Sequence, residues 1–141
     1  MKSYIDAQPK SIQLCHIDAV PDNFLFVTGK DGSEELIDWE YAGMQDPHLD
    51  VAMFIVYAMY DRDSAEKLID LYFSDGCDKA TRLKVYCYIA VSGLVWSNWC
   101  EFKHHCGVEF GAYTQRQYDY AREYTKIFFK EYREAFGRDY V

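Results

Sequence analysis

Two short polar clusters, each set among apolar residues, hold the side chains of this sequence best suited to chemistry. The first is His16-x-Asp18-x-x-x-x-Asn23, within "LCHIDAVPDNFLF"; the second is "LIDWEYAG", with Asp38, Glu40 and Tyr41. Carboxylate and amide oxygens are hard ligands. They suit Mg²⁺, which keeps several waters and shares substrate phosphates instead of filling an all-protein cage. A carboxylate left free of metal is a base, or an orienting acceptor, for a hydroxyl. For any one of these residues alone, a polar loop with an Asx turn accounts for the same letters. The co-occurrence of both clusters at a set spacing favours a site.

Those clusters need elements to bring them together. "NFLFV" and "EELIDW" are short apolar runs separated by "TGKDGS", whose Gly and Asp-Gly supply turn chemistry, so a β-hairpin is predicted. A hairpin closes Asn23, just before its first strand, against Asp38, just after its second, with Asp18 nearby. From Asp46 the period changes. "DPHLDVAMFIVYAMY" predicts a helix to about Tyr60, with Asp46 as N-cap and Pro47 at the first helical position. "DSAEKLIDLYFS" predicts a second, capped by Asp63 or Ser64 and broken at Gly76. A long helix from about Lys79 to Phe102 follows, then a last one from about Thr114 to Ala135. In that last helix Tyr118, Ala121, Tyr124, Ile127, Phe128 and Tyr132 recur at helical steps. Its basic residues, Arg116, Arg122, Lys126, Lys130 and Arg133, alternate with acids and read as a solvated face. The predicted class is mainly α with a small β-hairpin (α+β). Residues 1–13 read as a polar leader or cut end, and residues 14–141 as one unit.

Composition narrows the function classes. A chain of 141 residues that is half hydrophobic has ample material for one core. A net charge of -8 argues against non-specific nucleic-acid binding and is compatible with a cationic substrate. Five Cys, an odd number without a CxxC, read as reduced thiols of a cytoplasmic protein. No secretory leader or membrane span is expected. The adjacent His104, His105 and Cys106 have the wrong spacing for a structural zinc site and read as a helix end.

The paired motif H-x-D-x-x-x-x-N and "IDWEYAGMQDPHLDVA" resembles the catalytic and metal-binding loops of the choline/ethanolamine kinase and aminoglycoside phosphotransferase family. These are small-molecule relatives of protein kinases, and the wording is most similar to the choline/ethanolamine branch with its bacterial LicA-type members. The resemblance implies the C-terminal lobe of a protein-kinase-like fold, ATP as phosphoryl donor and Mg²⁺ as cofactor. It gives Asp18 the role of positioning, or accepting the proton of, the acceptor hydroxyl. Asn23 and Asp38 would hold metal, with Glu40 assisting. His16 and Asp50 would support the loop. Trp96-x-x-Trp99 in "GLVWSNWCEF" matches the pair with which that branch boxes a substrate ammonium by cation–π attraction, and Tyr41 matches a further wall. Core packing explains the two Trp equally well. Glu101 is a candidate counter-charge without a place.

Departures from the family pattern are also legible. Ala19-Val20-Pro21 is apolar where a small or basic residue often follows the catalytic Asp, and Asp22 precedes Asn23. Tyr57 occupies the position of an acidic residue in eukaryotic choline kinases, which weakens the case for choline itself. No Gly-rich phosphate loop or strand Lys of the first lobe is present in the sequence, so the resemblance covers the second lobe only. The expected function is an ATP-dependent phosphotransferase acting on a small amino alcohol. Two alternatives stand beside it: an aminoglycoside or other amino-alcohol phosphotransferase, and a non-catalytic fragment that dimerises or binds a separate first lobe.

Overall fold

The computed structural model describes residues 1–26 and 32–141. In chain order the elements are α1 (Lys2–Ala7), β1 (Gln13–Cys15), β2 (Phe24–Phe26), β3 (Glu34–Leu36), β4 (Gly43–Gln45), α2 (His48–Tyr57), α3 (Arg62–Tyr72), α4 (Lys79–His105) and α5 (Ala112–Phe136). Single 3-10 turns occupy Pro21–Asn23 and Trp39–Tyr41. This is the mainly helical α+β architecture predicted. No helix among the described residues is long and apolar enough to cross a membrane.

The hairpin is present: β2 pairs antiparallel with β3, Phe24 opposite Leu36 and Phe26 opposite Glu34. Of the predicted turn "TGKDGS", residues 28–31 lie outside the described residues. A second ribbon went unpredicted. β1 pairs antiparallel with β4, Gln13 opposite Gln45 and Cys15 opposite Gly43. Three-residue strands carry too little alternation to be read from sequence, and these two are thirty residues apart. The ribbons are nested, so loops 16–23 and 37–42 are held side by side between them. That nesting positions both polar clusters.

The helical body packs around α4, whose Leu83, Val85, Tyr86, Cys87, Ile89 and Ala90 are buried. Helix α5 lies so close to α4 that a Cβ on Gly93 would sit 2.8 Å from the Gln117 carbonyl oxygen and 2.8 Å from the Tyr120 Cβ. The buried stripe of α5 is Gln117, Tyr120, Tyr124, Phe128 and Tyr132. It is therefore rotated from the predicted face, and Tyr118, Ala121 and Ile127 are only half-buried. The rotation has a polar cause. The last carbonyls of α2 need partners. Gln117 Nε2 donates to Val56 O at 3.2 Å, and the Tyr120 hydroxyl lies 3.1 Å from Ile55 O in α2 and 2.6 Å from Tyr60 O just beyond it. Arg116, predicted on the solvated face, instead donates to Tyr60 O at 2.7 Å and lies 4.1 Å over the Tyr120 ring.

Two predicted caps are displaced. Asp61, not Asp63 or Ser64, caps α3 by accepting the Ser64 N–H at 2.9 Å. Helix α2 starts one residue late, with Pro47 at the cap. Asp46 is buried instead, 2.8 Å from the equally buried Lys84 Nζ, and accepts from Tyr88 Oη at 3.2 Å. Burial alone would raise the Asp46 carboxyl. The Lys84 ammonium and the His48 N–H outweigh it and hold the group below the usual carboxylate range. Residues 2–7 form α1, whose Tyr4 and Ile5 join the core. The His104–Cys106 stretch ends α4 as predicted, with His104 Nδ1 2.8 Å from Glu109, and all five cysteines are free.

Candidate active site

Loop 16–23 is hung from α2. The Asp50 carboxylate accepts the His16 and Ile17 backbone N–H groups, each at 2.8 Å. His16 is buried, and its Nε2 donates to Ile37 O at 2.7 Å, which joins the first loop to the second. Its ring also meets Trp39 edge-on at 4.7 Å. Between His16 and Asp18 the chain passes through a left-handed conformation at Ile17, φ 69°. A β-branched residue pays strain there, and the surrounding structure must hold it. Here the two Asp50 bonds do so. Such strain is concentrated where a side chain must be aimed, and the next side chain is Asp18.

Asp18 is half-buried, and its Oδ1 accepts the Tyr57 hydroxyl at 2.8 Å. Tyr57 closes the last turn of α2. Burial, first, and the neighbouring Asp18 carboxylate, second, push its phenol far up, so it stays a hydrogen-bond donor. Asn23 Nδ2 donates to Asp18 O at 3.0 Å, and Ile37 N–H donates to Asn23 O at 3.0 Å. The hairpin thus brings the backbone beside Asn23 against the residue preceding Asp38. Asp38 is exposed and itself left-handed, φ 64°, and opens the turn that carries Glu40 and Tyr41.

Two adjoining recesses meet at Asp18. One, about 410 Å³, is walled by Glu40, Tyr41, Asp18, Tyr57, Trp96 and Trp99. The other, about 610 Å³, shares the last four of these and continues to Phe110 and Tyr113. Trp96 and Trp99 stand edge to face at 5.1 Å, and Trp96 lies 5.3 Å from the Tyr57 ring. Trp96 is half-buried and Trp99 is 37% exposed, so neither is wholly spent on core packing. The structure therefore brings Asp18, Glu40, Tyr41, Trp96 and Trp99 to one place. It puts Glu101 elsewhere, in a separate recess with His104 and Glu109.

Among the described residues no three His, Cys, Asp or Glu side chains converge to hold a metal by themselves. Mg²⁺ asks less than that of a protein: one or two oxygens complete a shell otherwise made by phosphates and water. The exposed Asp38 carboxylate and the Asn23 amide oxygen, whose nitrogen is already engaged, are suited to that part.

Sequence reading missed Tyr57 as the partner of Asp18, and Phe110 and Tyr113 as walls. The contacts span 39 residues for Tyr57 and arise only once α2, α4 and α5 are packed. The one available signal was negative: an acidic residue expected at position 57 was absent.

Residues 2–86 match the sequence model of the Phosphotransferase enzyme family. Protein LicA of Haemophilus influenzae is 30% identical over 119 residues, which is 76% of this chain and 41% of that protein. The crystal structure of a choline/ethanolamine kinase family protein from Mesorhizobium loti superposes with a TM-score of 0.73 at 26% identity, covering 89% of this chain and 43% of that one. Choline kinase LicA from Streptococcus pneumoniae gives 0.69 at 27% identity, with 89% and 44% covered. A LicA structure in complex with AMP gives 0.70 at 27%, with 90% and 43% covered. The chain spans less than half the length of each of these proteins.

Proposed function

The chain belongs to the phosphotransferase enzyme family, and from that premise we propose that it carries the acceptor site and catalytic carboxylate of an ATP-dependent choline/ethanolamine-type kinase. The observation that carries the reading is the meeting of one carboxylate, Asp18, with Trp96, Trp99, Tyr41 and Tyr57 around a shared recess. A small amino alcohol has two recognisable ends. Its ammonium is attracted to aromatic faces, indole best, and more strongly once water is excluded. Its hydroxyl needs an acceptor a few ångströms away. This site offers both.

In this reading Asp18 Oδ2, the oxygen not taken by Tyr57, orients the acceptor hydroxyl and receives its proton as the acceptor oxygen bonds to the γ-phosphorus of ATP and the bond from that phosphorus to the bridging oxygen breaks, releasing ADP. Tyr57 fixes the plane of that carboxylate. Asp50 and His16 hold the loop at the register that aims it. Asn23 and Asp38, with Glu40 assisting, would hold Mg²⁺. When bound, that ion neutralises charge on the donor phosphates. The AMP-bound LicA relative supports a nucleotide as phosphoryl donor.

The substrate class is tested by calorimetric titration of choline, ethanolamine and kanamycin into the chain and into Trp96→Ala. A choline/ethanolamine site loses affinity on removal of the indole. An aminoglycoside site, which binds a polycation through carboxylates, is unmoved by Trp96→Ala and prefers kanamycin; that result overturns the reading.

A further inference from the structure

A third recess, about 370 Å³, lies behind loop 16–23 and shares no lining residue with the two that meet at Asp18. The loop is the partition between them: His16 and Ala19 line the rear recess, whereas Ile17 and Asp18 line the front. We infer that the rear recess is a binding site for a small, uncharged aromatic ring that carries one N–H or O–H donor, with that donor on His16 Nδ1.

The walls come from three elements around that loop: Phe24 and Leu36 from the hairpin, Val51 and Phe54 from α2, and Leu68 and Tyr72 from α3. Phe24 and Phe54 meet edge to face at 5.4 Å, a geometry that a further flat ring extends. Among the described residues no Lys or Arg lines the recess, and its one carboxylate is spent: the two Asp50 oxygens accept the His16 and Ile17 backbone N–H groups. A charged ligand would give up water there without a free counter-charge, whereas an apolar ring gains by leaving water. His16 makes the one polar demand. It is 2% exposed, and its Nε2 is taken by Ile37 O at 2.7 Å. With the ring proton on that nitrogen, Nδ1 is an acceptor. Among the described residues it has no partner. A buried acceptor left unpaired is costly, and a donor brought by the ligand removes that cost. The same donor fixes the tautomer on which the His16–Ile37 bridge between the two loops depends. An occupant therefore bears on the loop that aims Asp18, from the side opposite to the front recesses.

The probes are indole and benzofuran, which share a fused-ring shape and differ in the N–H donor. Calorimetric titration into the wild-type chain is expected to show indole binding roughly tenfold tighter, or better, the scale of one buried hydrogen bond. Leu36→Trp and Leu68→Trp fill the recess from two different elements at half-buried positions, and each is expected to abolish indole binding. In ¹⁵N spectra of the histidine side chains, the His16 Nδ1 resonance is expected to move with indole and to stay in place with benzofuran. That comparison needs only the wild type, so it decides the matter even if neither variant folds. No indole binding, equal affinity for the two probes, an unmoved Nδ1 resonance, or indole binding that survives in a folded variant overturns the inference. None of these results touches the amino-alcohol reading, whose residues lie on the other side of the loop.

Discussion

Asp18 is aimed by three contacts of different kinds: the Tyr57 hydroxyl on one carboxylate oxygen, the Asn23 amide on its carbonyl, and Asp50 on the two residues before it. Tyr57→Phe removes only the first. A hydrogen bond to a charged group is worth about 1.5–3 kcal/mol. The variant is predicted to lower kcat roughly tenfold with KM for the amino alcohol unchanged, because the aromatic ring remains. A change confined to KM would place Tyr57 in binding instead. Trp96→Ala removes a half-buried indole and is predicted to weaken choline binding by about 1–2 kcal/mol, roughly five- to thirtyfold in Kd by calorimetry. At this scale residue type and short spacing singled out Asp18, Asn23 and Asp38, and the structure puts the Asn23 amide on the Asp18 carbonyl and the Asn23 carbonyl on the residue before Asp38; their roles in catalysis and metal binding are the proposal. Tyr57 was opaque because its role exists only across a packed helix.

The elements show the same division. Helices were legible from their apolar period, but their rotation about their own axes was not. The face that α5 buries puts Gln117 and Tyr120 against carbonyls at the end of α2 and just beyond it. Gly93 records how closely α4 and α5 approach. On an exposed helix Gly→Ala would gain roughly 1 kcal/mol. Here the new methyl meets backbone atoms of α5 that cannot swing away, so Gly93→Ala is predicted to cost about 1–3 kcal/mol in urea unfolding. The Asp46–Lys84 pair ties the start of α2 to α4, and its residue types gave no sign of burial. Lys84→Met strands a buried carboxylate and is predicted to destabilise by about 3–5 kcal/mol at pH 7. The pH dependence follows from the lowered Asp46 value. Its contribution is fully present above the unfolded carboxyl pKa of about 3.9 and is lost as pH falls through the folded value. Urea titrations at neutral and acidic pH should show the wild type losing that contribution in acid and Lys84→Met having none to lose.

Seen whole, the molecule is a helical body topped by two nested ribbons, and the ribbons expose apolar side chains. Leu14 and Met44 face one another across β1 and β4 and are 64% and 62% exposed; Phe26 on β2 is 71% exposed. Contiguous apolar surface marks an interface, whereas single exposed apolar side chains are ordinary. A second copy, or a separate lobe, is the proposed cover. Light scattering is predicted to show concentration-dependent association that Leu14→Lys with Met44→Lys suppresses; a monodisperse monomer at high concentration would contradict it. The chain spans less than half the length of each of these relatives, so the question of function is whether this chain turns over an acceptor by itself.

That question has a direct measurement. The purified chain is incubated with Mg²⁺, γ-labelled ATP and choline or ethanolamine, and the labelled phosphoester is quantified for the wild type and for Asp18→Asn. The account predicts phosphocholine or phosphoethanolamine from the wild type. It predicts a rate at least roughly a hundredfold lower in Asp18→Asn, the scale of a positioned general base. No phosphoester from either alcohol, or an Asp18→Asn chain as fast as the wild type, would contradict it.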